Sequence, residues 1–268
     1  MTTFINYQGS KKHFTKKFNY LISNTKHNTY IEPFVGSGAV LFNLDKRFEH
    51  YIINDLNEHV IFMYNTFKTI SYNDVLDANN DVLKNFGDIK QSKESFYAFR
   101  DFYNEKHHFS NNKEKGIYLY FLANSCINSM LRFGPNGMNS CFGERFKIMT
   151  KNDFEHIHRV LQDTTILNKD YRDILQDDAV IFLDPPYFER PTSYSSNFDA
   201  KDLQSFLDEI KSLKSDIIYT DIYSDKIHDY LKWPYQETKI ITNSSPYAYN
   251  DKHQEVAFYN FELPNDEW

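Results

Sequence analysis

At 268 residues, 41% of them hydrophobic and 17% aromatic, the chain suits one α/β catalytic unit with an inserted subdomain and is too short for two full-sized domains joined by a linker. The formal charge of −7 excludes a uniformly basic nucleic-acid binder, so any phosphate contacts must come from local clusters of Lys and Arg. No stretch nears the roughly 20 apolar residues of a membrane helix, Met1 to Gly9 lacks a signal-peptide layout, and Cys126 and Cys141 have no paired spacing, which together predict a cytoplasmic chain with no membrane partner, disulfide framework or metal.

In chain order, the first feature is a basic stretch, with Lys11, Lys12, Lys16 and Lys17 preceding the first acid at Glu32. Tyr30 to Val35 reads as a buried strand, Gly36-Ser37-Gly38 as a tight turn and Ala39 to Leu44 as a helix. A second short strand, Tyr51 to Asn54, closes on the acid Asp55, and apolar residues at helical spacing predict a helix over Asn57 to Ile70. From about Ser71 to Lys151 the pattern turns to aromatic-rich helical segments, among them Phe96 to Phe102 and Ile117 to Met130, followed by Arg132 to Asn139, whose turn formers suit a hairpin or exposed loop. Within it, the stretch from Lys106 to Lys151 sets Lys113, Lys115, Arg132, Arg145 and Lys147 against only Glu114 and Glu144, a second local basic face.

Strand character resumes at Thr165 to Leu167 and at Ala179 to Leu183. A helix near Asp199 to Leu213 follows, then a strand at Asp216 to Thr220 and late strands at Lys239 to Thr242 and Glu255 to Phe261. Alternating strands and helices predict a doubly wound, mainly parallel sheet with ligands at the carboxyl ends of its strands. The expected division is a catalytic domain of residues 1–70 and 152–268, with residues 71–151 as an inserted helical and hairpin subdomain.

Two constellations carry chemistry. In Phe34-x-Gly36-x-Gly38, glycine lets backbone amides approach a ligand, and Asp55 at the end of the next strand suits the hydroxyls of a ribose. Without G-x-G-x-x-G or Gly-Lys-Ser/Thr, a single adenosyl group fits better than a dinucleotide or nucleoside triphosphate. In Asp184-Pro185-Pro186-Tyr187 two prolines fix the chain direction directly after an apolar strand, projecting an acid and a ring. Asp184 and a proline carbonyl can accept hydrogen bonds from the two protons of an aromatic amine while Tyr187 stacks on the base, an arrangement suited to direct attack on a sulfonium methyl. Neither cysteine follows a proline, so a covalent route has no nucleophile. His107, His108, His156 and His158 read as surface histidines, and Pro246 to Tyr249 as a loop that either covers a flipped base or packs.

These motifs, with Tyr7-Gln8-Gly9-Ser10-Lys11 at the N-terminus, Asn54-Asp55-Leu56-Asn57, and Asn128 to Arg132 followed by Asn139-Ser140-Cys141-Phe142-Gly143, resemble the Dam-type N6-adenine DNA methyltransferases of bacteria and T-even-like phages over nearly the whole chain. The resemblance implies the class I fold, S-adenosylmethionine as cofactor, flipping of adenine out of double-stranded DNA, and a monomer or weak dimer in a bacterial or phage-infected cell, with or without a restriction partner. It assigns Tyr7, Lys11, Phe34, Gly36, Gly38, Asp55 and Asp170 to the cofactor, Asp184, Pro185, Pro186 and Tyr187 to catalysis, and Asn128, Arg132, Asn139 and Arg145 to DNA. Relatives usually carry Trp where this chain has Tyr7, Ala-Gly-Gly-Lys where it has Gln8 to Lys11, and Pro where it has Cys141. The last departure lies in the recognition hairpin, so the resemblance does not carry over the usual GATC target. The same Asp-Pro-Pro-Tyr chemistry serves the cytosine exocyclic amine and RNA adenine, and a DNA-binding homologue without catalysis is the rival of another class.

Overall fold

The computed structural model describes residues 1–105, 109, 111–144, 147–187, 200–242 and 252–263. They form two compact units. One holds Met1–Lys12, Gly36–Asn43 and Asp55–Asn168; the other holds His13–Val35, Leu44–Asn54 and the described residues from Lys169 onward.

The second unit contains α1 (Thr15–Leu21), β1 (Thr29–Glu32) and β2 (His50–Asn54). The first contains α2 (Glu58–Phe67), α3 (Tyr72–Phe86), α4 (Lys93–Asn104), α5 (Asn112–Asn124), the hairpin strands β3 (Phe133–Gly134) and β4 (Gly137–Met138), α6 (Lys151–Gln162) and β5 (Thr164–Leu167). The chain then completes the second unit with β6 (Val180–Leu183), α7 (Ala200–Ser212), β7 (Asp216–Ile222), α8 (Asp225–Leu231), β8 (Tyr235–Thr242) and β9 (Lys252–Tyr259). The main sheet has seven strands in the order β5-β2-β1-β6-β7-β9-β8. Strand β1 runs parallel to β2 and β6, β6 runs parallel to β7, and β9 runs antiparallel to β7 and β8. A mixed, mainly parallel sheet with flanking helices is the expected doubly wound α/β class.

All four residues of β6 are buried, as an unbroken apolar run requires of a central parallel strand covered on both faces. The rings of Phe14 and Phe18 cover one side of it, their centroids 6.2 and 5.1 Å from that of Phe182. The register pairing Ile31 with Ile181 carries β1 and β6 to the same edge of the sheet. There β1 runs into Pro33-Phe34-Val35 and β6 into Asp184. The buried Asn54 braces that edge, its amide donating to the carbonyls of Pro33 at 3.1 Å and Lys169 at 3.0 Å and accepting from the Lys169 amide at 2.8 Å.

The helix expected over Ala39 to Leu44 is one 3-10 turn, Leu41–Asn43. An α-helix would give the Ala39 carbonyl to the backbone N–H of Asn43. That carbonyl instead accepts the Asn43 side-chain amide at 2.8 Å, while the Asn43 N–H bonds Val40 at 3.0 Å, the competition with regular structure for which Asn is known.

In the first unit, α5 is buried on every side from Gly116 to Asn124. Gly116 presses so closely on α2 that a Cβ there would lie 2.0 Å from the Thr66 hydroxyl. The helix expected to reach Met130 stops at Asn124, where Ser125 and Cys126 back-bond the carbonyls of Phe121 and Leu122 at 2.8 and 3.0 Å. Strands β3 and β4 form the expected hairpin, pairing Phe133 with Met138 and Gly134 with Gly137. Asn104 at the end of α4 clamps it, its carboxamide accepting from the Met138 amide at 2.7 Å and donating to the Met138 carbonyl at 2.8 Å.

Candidate active site

Within the first unit the chain gathers Tyr7, Gly36, Gly38 and Asp55. Gly36 and Gly38 hold φ of +44° and +64°, torsions that L side chains rarely adopt. A Cβ on Gly36 would lie 3.0 Å from the Tyr7 ring, and one on Gly38 2.5 Å from the Phe42 ring and 2.6 Å from the Tyr64 hydroxyl. That hydroxyl donates to the Gly36 carbonyl at 3.1 Å, so the core of the unit fixes the turn's shape. Asp55 fixes its direction: one carboxylate oxygen accepts from the Gly36 amide at 3.0 Å and the other from the Asn57 amide at 2.9 Å. Burial pushes the Asp55 carboxyl up to about 6, against the pull of those amides in the opposite direction. Lys11 is buried, its ammonium donating to the Gly9 carbonyl at 3.0 Å.

Two residues assigned to the cofactor lie in the second unit. Phe34, next to the glycine turn in sequence, packs its ring 5.5 Å from that of Tyr171. Asp170 caps the short turn Tyr171–Asp173 and binds Arg172 through both oxygens, at 2.7 Å from Nε and 2.6 Å from Nη2. The Arg172 hydrogen bonds hold the Asp170 carboxyl below the usual carboxylate range.

The Asp184-Pro185-Pro186-Tyr187 segment leaves the carboxyl end of β6, with Pro185 buried and the other three half-buried. Asp184 Oδ1 accepts from the Thr220 hydroxyl of β7 at 2.8 Å, which pins the carboxylate beside the sheet edge. The Tyr187 phenol donates to Oε1 of Glu255 on β9. Burial, then the negative charges of Asp184 and Glu255, drive the Tyr187 phenol well above its ordinary range, so it remains a protonated donor.

Two of the four residues assigned to DNA flank the hairpin. Arg132 and Asn139 are exposed at its two ends, joined by the Asn139 amide donating to the Arg132 carbonyl at 3.0 Å. Asn128 is exposed in a 3-10 turn with φ of +53°. Arg145, like His107, His108 and the Pro246 to Tyr249 loop, lies outside the described residues. His156 and His158 are half-buried rather than lone surface residues, bonding the carbonyls of Phe42 at 2.7 Å and Phe67 at 3.1 Å. Cys126 is buried, and burial pushes its thiol up to about 12, which removes it as a nucleophile.

Residues unmarked by the motifs complete the site. Thr220 and Glu255 hold the acid and ring of the Asp184 to Tyr187 segment. The sequence carried a trace of Glu255: an acid directly before the apolar run Val256-Ala257-Phe258-Tyr259, buried together with it.

Comparison with known proteins supports the same reading. A family model for D12 class N6 adenine-specific DNA methyltransferases matches residues 7–251. The chain is similar to the Type II methyltransferase M.MjaIII of Methanocaldococcus jannaschii, 29% identical over 194 residues that make up 67% of this chain and 65% of the relative. It is similar to the Type II methyltransferase M.CviBI of Paramecium bursaria Chlorella virus NC1A, 26% identical over 205 residues and 72% of each chain. It also resembles the DNA adenine methylase of Escherichia coli K12, 27% identical over 186 residues, or 68% of this chain and 63% of that one. The alignments therefore span about two thirds of the length of these relatives. With the family model reaching from residue 7 to residue 251 and its motifs in order along the fold, this chain belongs to the D12 class of N6 adenine-specific DNA methyltransferases.

Proposed function

We propose that the chain transfers a methyl group from S-adenosylmethionine to the exocyclic N6 amine of adenine in double-stranded DNA. The observation that carries this reading is the Asp184 to Tyr187 segment at the end of β6, with its acid pinned by Thr220 and its ring by Glu255. The first unit supports cofactor binding: Gly36 and Gly38 form a side-chain-free turn held by Tyr7, Phe42 and Tyr64, and the Asp55 carboxylate bound to that turn's amide would accept from a ribose diol. When bound, the cofactor supplies an electrophilic methyl on sulfur. Tyr7, Lys11, Phe34 and Asp170 are proposed to complete its binding, Asp170 toward the adenine or methionine part.

At the acceptor, Asp184 takes a hydrogen bond from the amine and a proline carbonyl of the segment takes the second. The Thr220 bond fixes the Asp184 side chain. Holding both amine protons keeps the nitrogen lone pair directed at the methyl, so the protein's contribution is orientation and charge. Tyr187 stacks on the base. An amine paired inside a duplex is out of reach of these groups, so the adenine is flipped out of the helix. Residues 71–151 form the proposed target-recognition segment, with Arg132, Asn139, Asn128 and Arg145 facing DNA.

Asp184→Ala should leave binding of S-adenosylhomocysteine near the parent value and abolish transfer of labelled methyl to unmethylated DNA. Full turnover in that variant overturns the proposal. Mass spectrometry of nucleosides from methylated DNA and RNA names the acceptor: N6-methyladenosine from RNA alone, or N4-methylcytosine from DNA, would replace adenine in DNA as the target.

A further inference from the structure

Glu255 has a fully buried carboxylate, and a charge removed from water must be met by donors or cost several kcal/mol. Among the described residues, four side chains meet it. Oε1 accepts from the Tyr187 phenol and lies 3.7 Å from the Lys239 ammonium, while Oε2 accepts from the Thr238 hydroxyl and lies 3.1 Å from Nε2 of His13. Thr238 and Lys239 stand at the bulge of the neighbouring strand β8, and His13 precedes α1. Three of the four partners therefore belong to the scaffold around the strand. The fourth is the ring of the catalytic segment.

From this geometry we infer that Glu255 is a positioning residue for methyl transfer: its buried carboxylate fixes the Tyr187 ring in the plane on which the target base stacks. The inference rests on the reading of Tyr187 as the base-stacking residue. Two prolines fix the backbone entering Tyr187, and a tyrosine side chain attached at only one end would still turn about its two torsions. Holding the phenol oxygen removes that freedom before the base arrives, so the ordering cost does not fall on the step that aligns amine and methyl. Lys239 offsets the anchor's charge, which lets the carboxylate hold a neutral phenol without itself leaving the core. Phenylalanine, with the same ring and no hydroxyl, would stack but could not be held.

The experiment is steady-state transfer of labelled methyl from S-adenosylmethionine to unmethylated genomic DNA by the full chain. It compares Tyr187→Phe, Glu255→Gln, the double variant and Tyr187→Ala, with thermal melting of each. Loss of a bond to a charged acceptor should lower kcat about tenfold or more in Tyr187→Phe, with KM for the cofactor within about twofold. Glu255→Gln turns amide hydrogens toward one of the two donor pairs and should lower kcat similarly. The double variant should fall no further than the weaker single, because both changes break one contact. A parent kcat in Tyr187→Phe, or losses that multiply in the double variant, overturns the inference. If Glu255→Gln does not fold, Tyr187→Phe decides alone. Tyr187→Ala separates the two levels of the argument: parent activity there defeats the base-stacking role itself, whereas an inactive Tyr187→Ala beside a fully active Tyr187→Phe defeats only the anchor.

Discussion

Cofactor affinity should depend on pH through Asp55, and the structure fixes the sign. Burial pushes this carboxyl up from 3.8 to about 6 even though two amides donate to it. A ribose diol would add two more donors to the ionised form, which lowers the carboxyl's pKa in the complex below that in the free chain. The complex then holds fewer protons than the free chain near neutrality, so affinity rises with pH up to about 6 and levels off above it. If the bound carboxyl titrates well below pH 5, about ten elevenths of the free chain must lose a proton at about pH 5, and Kd there is roughly tenfold weaker than at about pH 8. Calorimetric titration with S-adenosylhomocysteine across that range, in buffers of different ionisation enthalpy, reads both the Kd profile and the proton released. Asp55→Asn should bind weakly with a flat profile. A Kd constant across the range, or proton uptake on binding, refutes the reasoning. The same shift acts on folding with the opposite consequence: a carboxyl whose folded pKa lies above its unfolded value of 3.8 favours the folded chain most at low pH, and that contribution is lost as pH rises toward about 6.

Gly38→Ala combines a φ of +64° with a Cβ 2.5 Å from Phe42, so strain and overpacking together should cost about 2–5 kcal/mol, read as a fall in denaturant midpoint; an unchanged midpoint would show that the turn relaxes freely. Thr220→Val keeps the packing volume and removes the hydroxyl that pins Asp184, and should lower kcat about tenfold with cofactor Kd unchanged. Equal kcat in that variant would mean that Asp184 is held by other contacts. Asn104→Ala releases both bonds that tie Met138 to α4, and should raise KM for DNA several-fold while leaving S-adenosylhomocysteine affinity at the parent value. A loss in both affinities would assign Asn104 to general stability rather than to the hairpin.

Most strands were legible because the buried ones are short apolar runs bounded by turn formers. Val180 to Leu183 is buried throughout, and its abrupt end at Asp184 marks the sheet edge in sequence and structure alike. Helices were harder to read. Helix α6 has its apolar Phe154, Ile157 and Leu161 spaced along a mostly polar stretch, which leaves a signal easily taken for loop, although Thr150 and Asp153 form an N-cap pair at its start. The Ala39 to Leu44 segment misled in the opposite direction. Its apolar density suits a helix, but the outcome depended on one Asn43 amide reaching the Ala39 carbonyl, a local competition that periodicity does not register.

Site residues divide along the same physical line. Gly36, Gly38, Asp184 and Tyr187 announce themselves because their chemistry is attached to their own backbone: positive φ, fixed proline torsions, an abrupt polar end to an apolar strand. Glu255 and Thr220 act on groups 68 and 36 residues away in sequence, and no local pattern reports such a partner. What a sequence can show is the cost. An acid buried directly before a run as apolar as Val256 to Tyr259 would destabilise β9 unless donors converged on it. A buried charge that the fold tolerates therefore implies partners, and here one of those partners is the phenol of Tyr187, which ties the acid to the Asp184 to Tyr187 segment as well as to the sheet.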